Sequence, residues 1–114
     1  MIRVWASTST PGQSAEDAFD AVAAVLLPEA DVEEGTGFGT NPGLRTGGKI
    51  FAILHSGELI VKLPAERCSG LVAAGEARAF EIGLRKMREW VQIAGVDEQR
   101  WLELAREARA YVGG

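Results

Sequence analysis

The sequence predicts an α+β fold: a mainly antiparallel five-stranded sheet with helices packed on it, in the order α-β-β-β-α-β-β-α. Three observations predict it. Residues 49–63, KIFAILHSGELIVKL, are two β-rich runs around a small-residue-plus-glycine turn at Ser56-Gly57, a strong short-range hairpin signal. Apolar residues recur at helical spacing in three other stretches, around Phe19, Cys68 and Leu104. No internal repeat and no βαβαβ succession is present, which favours antiparallel pairing over a wound parallel sheet.

Residues 1–13 read as an N-terminal arm, in which Ile2 and Val4 alternate with Arg3 and Trp5 as in a short edge strand. A single domain over 14–112 follows. Ser14 with Asp17 three residues on is a variant of the capping box, and Phe19, Val22, Ala23 and Leu26 continue as a helical stripe that Pro28 ends. ADVEEGTG, residues 30–37, is the first strand. FGTNPGLRTGG then reads as a mobile connection, with Pro42-Gly43 suited to the centre of a type II turn.

The hairpin supplies strands two and three. A two-residue loop places Leu54 opposite Leu59, Ala52 opposite Val61 and Ile50 opposite Leu63, one apolar face. The other face carries Phe51 opposite Lys62, Ile53 opposite Ile60 and His55 opposite Glu58. Pro64 opens a second helix with Ala65, Cys68, Leu71 and Val72 on one face, and Gly75 closes it. RAFEI (78–82) and REWVQIA (88–94) form strands around a Gly83–Lys86 turn. Asp97 caps the last helix, whose apolar stripe is Trp101, Leu104, Ala105, Ala108, Tyr111 and Val112, with Glu103, Arg106, Glu107 and Arg109 on its wet side.

At 114 residues the chain is long enough for a core without staples. No apolar run reaches the roughly 20 residues that span a bilayer, and the N-terminus lacks the apolar stretch of a secretory signal. The one cysteine makes no intrachain disulfide, which fits a cytoplasmic location. The net charge of −4 is uneven: residues 1–37 carry one base and seven acids, whereas 38–90 carry eight bases and five acids. A pI near 5.0 argues mildly against a dedicated DNA binder.

Gly48-Lys49-Ile50-Phe51-Ala52, Leu59-Ile60-Val61-Lys62-Leu63 and Lys86-Met87-Arg88-Glu89-Trp90-Val91 together resemble the YjbR (MmcQ-like) family and the related TfoX/Sxy N-terminal domain, from about Ser14 to Val112. That resemblance implies a secretion-chaperone-like α+β fold with the same succession of elements. It also implies a nucleic-acid-binding or regulatory role, although these 114 residues do not contain the separate C-terminal domain of full-length TfoX-type regulators.

Few residues offer chemistry of their own. His55 and Glu58 can be read as an acid–base pair, but with no nucleophile nearby a cross-strand surface pair is expected. Cys68 falls on an apolar helix face and is expected to be a small buried hydrophobe. One Cys and one His exclude a Cys/His zinc site within the chain; Asp31, Glu33 and Glu34 lack calcium-loop spacing and read as a solvated acidic edge. The glycine-rich 35–48 segment runs into a strand rather than a helix and lacks GK[ST], so it is expected to connect strands rather than cradle phosphate, despite the flanking cations Arg45 and Lys49.

There remain Arg45, Lys49, Phe51, Lys62, Arg88 and Trp90, cations and aromatics that a sheet surface can use to neutralise phosphates and stack bases. Burial of Phe51 and Trp90 beneath a helix is the competing expectation. The sequence thus points to a small non-catalytic cytoplasmic module with no cofactor and no metal, binding nucleic acid weakly, or alternatively to a homodimer or adaptor that binds protein and no nucleic acid.

Overall fold

The structure, a computed structural model, describes residues 14–37, 39–82 and 85–113. The arm at 1–13, with its short strand, and Gly83 and Leu84 of the expected turn lie outside the described residues. The elements are α1 (Ala15–Leu26), β1 (Val32–Gly37), β2 (Asn41–Thr46), β3 (Lys49–His55), β4 (Glu58–Lys62), α2 (Ala65–Ala73), β5 (Ala77–Ile82), β6 (Arg85–Ile93) and α3 (Glu98–Gly113). The sheet is antiparallel throughout, in the order β1-β2-β3-β4-β6-β5.

It has six strands, not five. The additional one is β2, in the stretch expected to be a mobile connection with a Pro42-Gly43 turn. Pro42 instead pairs with Thr36 of β1, ahead of the β3 ladder, which begins at Gly43 opposite Ile53. A proline at the start of a strand removes no bond from the second ladder. Gly43 is there for space: a Cβ on it would lie 2.7 Å from Ile50 Cδ1 and 2.8 Å from the Ala52 carbonyl oxygen. The turn itself comes later, at Gly47-Gly48, both with positive φ (57° and 81°), the geometry of a tight type I′ hairpin.

The central hairpin turns at Ser56-Gly57, again with positive φ at both residues, and Ala52, Ile53, Leu54 and His55 face Val61, Ile60, Leu59 and Glu58. Nearer the strand start the expected alternation fails. Leu44 faces Ala52 but Arg45 faces Ile50, so Phe51 is an extra residue, a β-bulge. The bulge sends Phe51 into the core beside Ala52 and turns Ile50 to the opposite face, against Ile53, Ile60 and Trp90.

The helices form as their caps and stripes dictate. Ser14 Oγ accepts the Asp17 amide at 3.0 Å, and Asp97 Oδ1 accepts the Arg100 amide at 3.1 Å. At the end of α2, Gly75 takes φ 79° while Glu76 N–H bonds the Leu71 carbonyl and Gly75 N–H that of Val72, a Schellman closure. One continuous core joins Phe19, Val22 and Leu26 of α1, Cys68 and Leu71 of α2, and Trp101, Leu104, Ala105 and Ala108 of α3 to Ala52, Leu54, Leu59, Val61 and Val91. Val61 faces Val91 in the ladder, so all these strand residues share one side and all three helices cover it. Trp101 is fully buried, and its indole N–H donates to the Gly95 carbonyl. The opposite side has its own smaller cluster of Ile53, Ile60, Phe80 and Trp90, flanked by Ile50 and Met87.

Candidate functional site

The six residues that stand out in the sequence do not make one surface. Phe51 is fully buried under the helices, which corrects its expected place opposite Lys62 and takes it away from any base; the bulge is the physical cause. Trp90 is 7% exposed, in the cluster on the side opposite the three described helices. Lys62, directly opposite it, holds its ammonium 5.9 Å from the indole centroid, within cation–π range. Arg45 shares that side, and its side chain lies across Gly35 so closely that a Cβ there would collide with it. Lys49 is exposed at the hairpin end, opposite the buried Thr46, and Arg88 is exposed in β6.

What the register does bring together is one end of the sheet. Arg45 faces Ile50, Lys49 closes the same hairpin, Lys62 ends β4 opposite Trp90, and Leu63 N–H bonds the Glu89 carbonyl just beyond. Arg45, Lys49, Lys62 and Arg88 therefore lie within about two residues of the same edge, spread across four strands, roughly 14 Å at the usual strand spacing. Among the described side chains, the cations elsewhere are taken: Arg67 by Glu107, Arg78 by Glu58, Arg100 by Glu76 and Glu103, and Arg106 and Arg109 by Glu29. Arg45, Lys49 and Arg88 have no ion pair among the described residues.

An internal acid competes at this edge. Glu89 lies 3.8 Å from the Lys62 ammonium and accepts the Tyr111 hydroxyl at 3.0 Å, and that bond pushes the phenol's pKa above its usual value. The sequence shows Glu89 only as part of the 86–91 motif and one acid among sixteen, with no sign of its partners; only the fold brings Tyr111 to it.

His55 and Glu58 face each other as the hairpin requires, yet each is engaged elsewhere. His55 Nδ1 lies 3.1 Å from Asn41 Oδ1, and its ring meets Phe80 edge-on. The Glu58 carboxylate accepts from Arg78 (2.7 Å), Gln92 (2.8 Å) and the Gly95 amide (3.2 Å), tying β4 to β5, β6 and the turn after it. Its lone pairs are occupied by structural donors, which is not how a general base is presented. Glu33 and Glu34 are exposed on β1, an edge strand. Among the described residues no three His, Cys, Asp or Glu side chains are placed to hold a metal ion, and no helix is long and apolar enough to cross a membrane.

A concavity of about 740 Å³, in the range of small-molecule pockets, lies between α2 and β6. Its lining includes Cys68, Trp90 and Val91, all under one-tenth exposed. Small residues open it: Ala65, Ser69 and Ala73 stand at i, i+4 and i+8 along α2, and Ala79 faces them from β5. The sheet helps too, because Ala79 faces Val91 and Phe80 faces Met87, so three β6 residues, Arg88 to Trp90, have no partner on β5 and bow the strand. Arg88 and Glu66 line the rim on opposite walls.

Burial pushes the Cys68 thiol above its usual pKa, and its Sγ donates to the Leu63 carbonyl at 3.4 Å. The native thiol thus holds its proton more tightly than the unfolded one. Stability from this group is present below the unfolded pKa, about 8.5, and falls as pH rises past it. We expect Cys68→Ala to flatten that alkaline loss in urea midpoints measured from neutral pH to above about 9, and iodoacetamide to label the native thiol far more slowly than the unfolded one. Native labelling at the unfolded rate would contradict the burial.

An antiparallel sheet with helices packed on it is what the resemblance carried by residues 48–52, 59–63 and 86–91 implies, and the YjbR family model matches residues 27–110. The chain belongs to the YjbR family. The match runs from the end of α1 into α3, shorter than the 14–112 span read from the sequence. No curated protein and no solved structure matches the chain. YjbR membership brings a small α+β domain; it brings no ligand, and the surfaces above carry the functional argument.

Proposed function

We propose that this YjbR domain is a non-catalytic, regulatory binding module that holds the phosphate backbone of nucleic acid along the cation edge of its sheet. The observation that carries this is the clustering there of Arg45, Lys49 and Arg88, cations without an ion pair among the described residues, beside Lys62. The resemblance to TfoX N-terminal domains points the same way. With Phe51 buried and Trp90 nearly so, no stacking platform accompanies the cations. Binding is then electrostatic, weak and indifferent to sequence and strandedness. Its non-catalytic character is supported by His55 and Glu58 being held by separate structural partners and by a buried, protonated thiol.

Fluorescence anisotropy of labelled single-stranded and duplex DNA, at low and near-physiological salt, tests it. Saturable binding that falls steeply with salt is expected. Lys49→Glu with Lys62→Glu weakens it and makes the log–log salt slope shallower by roughly one for each phosphate no longer neutralised. Absence of binding even at low salt overturns the proposal. It would leave the protein-interaction reading, which the net charge of −4 favours and which sedimentation velocity of the wild-type chain would check.

A further inference from the structure

We propose that the groove between α2 and β6 binds a linear apolar chain that ends in a carboxylate. This goes beyond the nucleic-acid proposal and needs none of it. The nearly buried Cys68, Trp90 and Val91 line the groove together with alanines, Val72 and Met87, so what fits it is hydrocarbon. Val72 is 40% exposed, an apolar surface that a bound chain would take out of water. Cys68 brings no charge to the groove, since it keeps its proton and spends it on the Leu63 carbonyl.

Among the described residues charge appears only at the rim, and it has a direction. Arg88 on the β6 wall carries no ion pair among the described residues, while Glu66 stands on the α2 wall. A carboxylate headgroup is drawn to Arg88 and turned away from Glu66, and a guanidinium grips a carboxylate through two parallel N–H donors. An ammonium headgroup on the same tail meets the reverse.

Met87 lines the groove, so its methyl is a site-specific reporter. Decanoate, decanol and decyltrimethylammonium would be titrated into the full chain, each below its aggregation limit, with methyl-labelled methionine followed by NMR. We expect saturable shifts at Met87, with decanoate about fivefold tighter than decanol, the ceiling for an exposed ion pair, and the ammonium weakest. Arg88→Glu reverses the order of the charged probes, and Glu66→Gln tightens decanoate. Ser69→Trp, at an exposed α2 position, fills the groove and blocks all three. Ala79→Leu does the same from the sheet side should the tryptophan disturb α2.

Three results would overturn the proposal: no Met87 shift with decanoate, equal affinity for the three headgroups, or binding retained in a folded groove-filled variant. DNA binding is unchanged by Ser69→Trp, so the failure of either proposal is visible without the other.

Discussion

Phe51→Ala lowers the unfolding free energy by about 3–5 kcal/mol in urea titration, the loss typical of a large aromatic removed from a packed core. The side chain is fully buried and packs with residues of the helix-covered side. Had it stood outward opposite Lys62, as plain alternation from the hairpin turn demands, truncation would cost no more than about 0.5 kcal/mol. The bulge makes the difference, because it places Phe51 and Ala52 in the same core. DNA affinity per folded molecule should be unaltered. A destabilisation under about 1 kcal/mol, or a selective loss of DNA binding, would place Phe51 on the surface after all.

Glu58→Ala destabilises by about 1–3 kcal/mol, far above the effect of an ordinary exposed acid. Its carboxylate is the common acceptor for Arg78, Gln92 and the Gly95 amide. Removing it leaves Gln92, 8% exposed, with a buried donor and nothing to receive it. Glu58→Gln should recover part of the loss, since an amide oxygen still accepts one bond. His55→Ala is the contrasting control: a coupled acid–base pair would make the two changes equivalent in any assay, whereas here they touch separate partners. An alanine variant at position 58 as stable as wild type would refute the clasp.

Much of the fold is legible in the sequence because local chemistry dictates it. The Ser14 cap, the Gly75 closure, the Ser56-Gly57 turn and the stripe through Trp101, Leu104 and Ala108 each depend on residues within a few positions of one another. Strand β2 is not legible, because a Pro-Gly pair signals a turn when its neighbours are unknown. Only the approach of Ile50 and the Ala52 carbonyl shows why a glycine belongs in a ladder. Burial of Phe51 beneath a helix is one of the two readings the sequence offers, but the bulge that produces it is not legible, because hydrophobic alternation has no mark for an inserted residue. Of the candidate surface, the cations at Arg45, Lys49, Lys62 and Arg88 can be chosen by type, but which others are spent on carboxylates far away in sequence cannot. Glu29 with Arg106 and Arg109, some eighty residues apart, is the plainest case.

The strand order has a consequence for how the molecule is made. Strands β1 to β4 follow one another across the sheet, so each pairs with a neighbour already synthesised. Strand β5 does not: its place beside β4 is taken by β6, which comes later in the chain. As the chain leaves the ribosome, β4 waits with a bare edge, and α2 and β5 have nothing to dock on. Residues 85–93 close that gap and bring β5 with them as a hairpin. Chains cut short before β6 expose the unpaired edge and the apolar underside of α2 together, two features that drive aggregation. The last third of this sequence is thus what turns a four-strand meander into a finished protein.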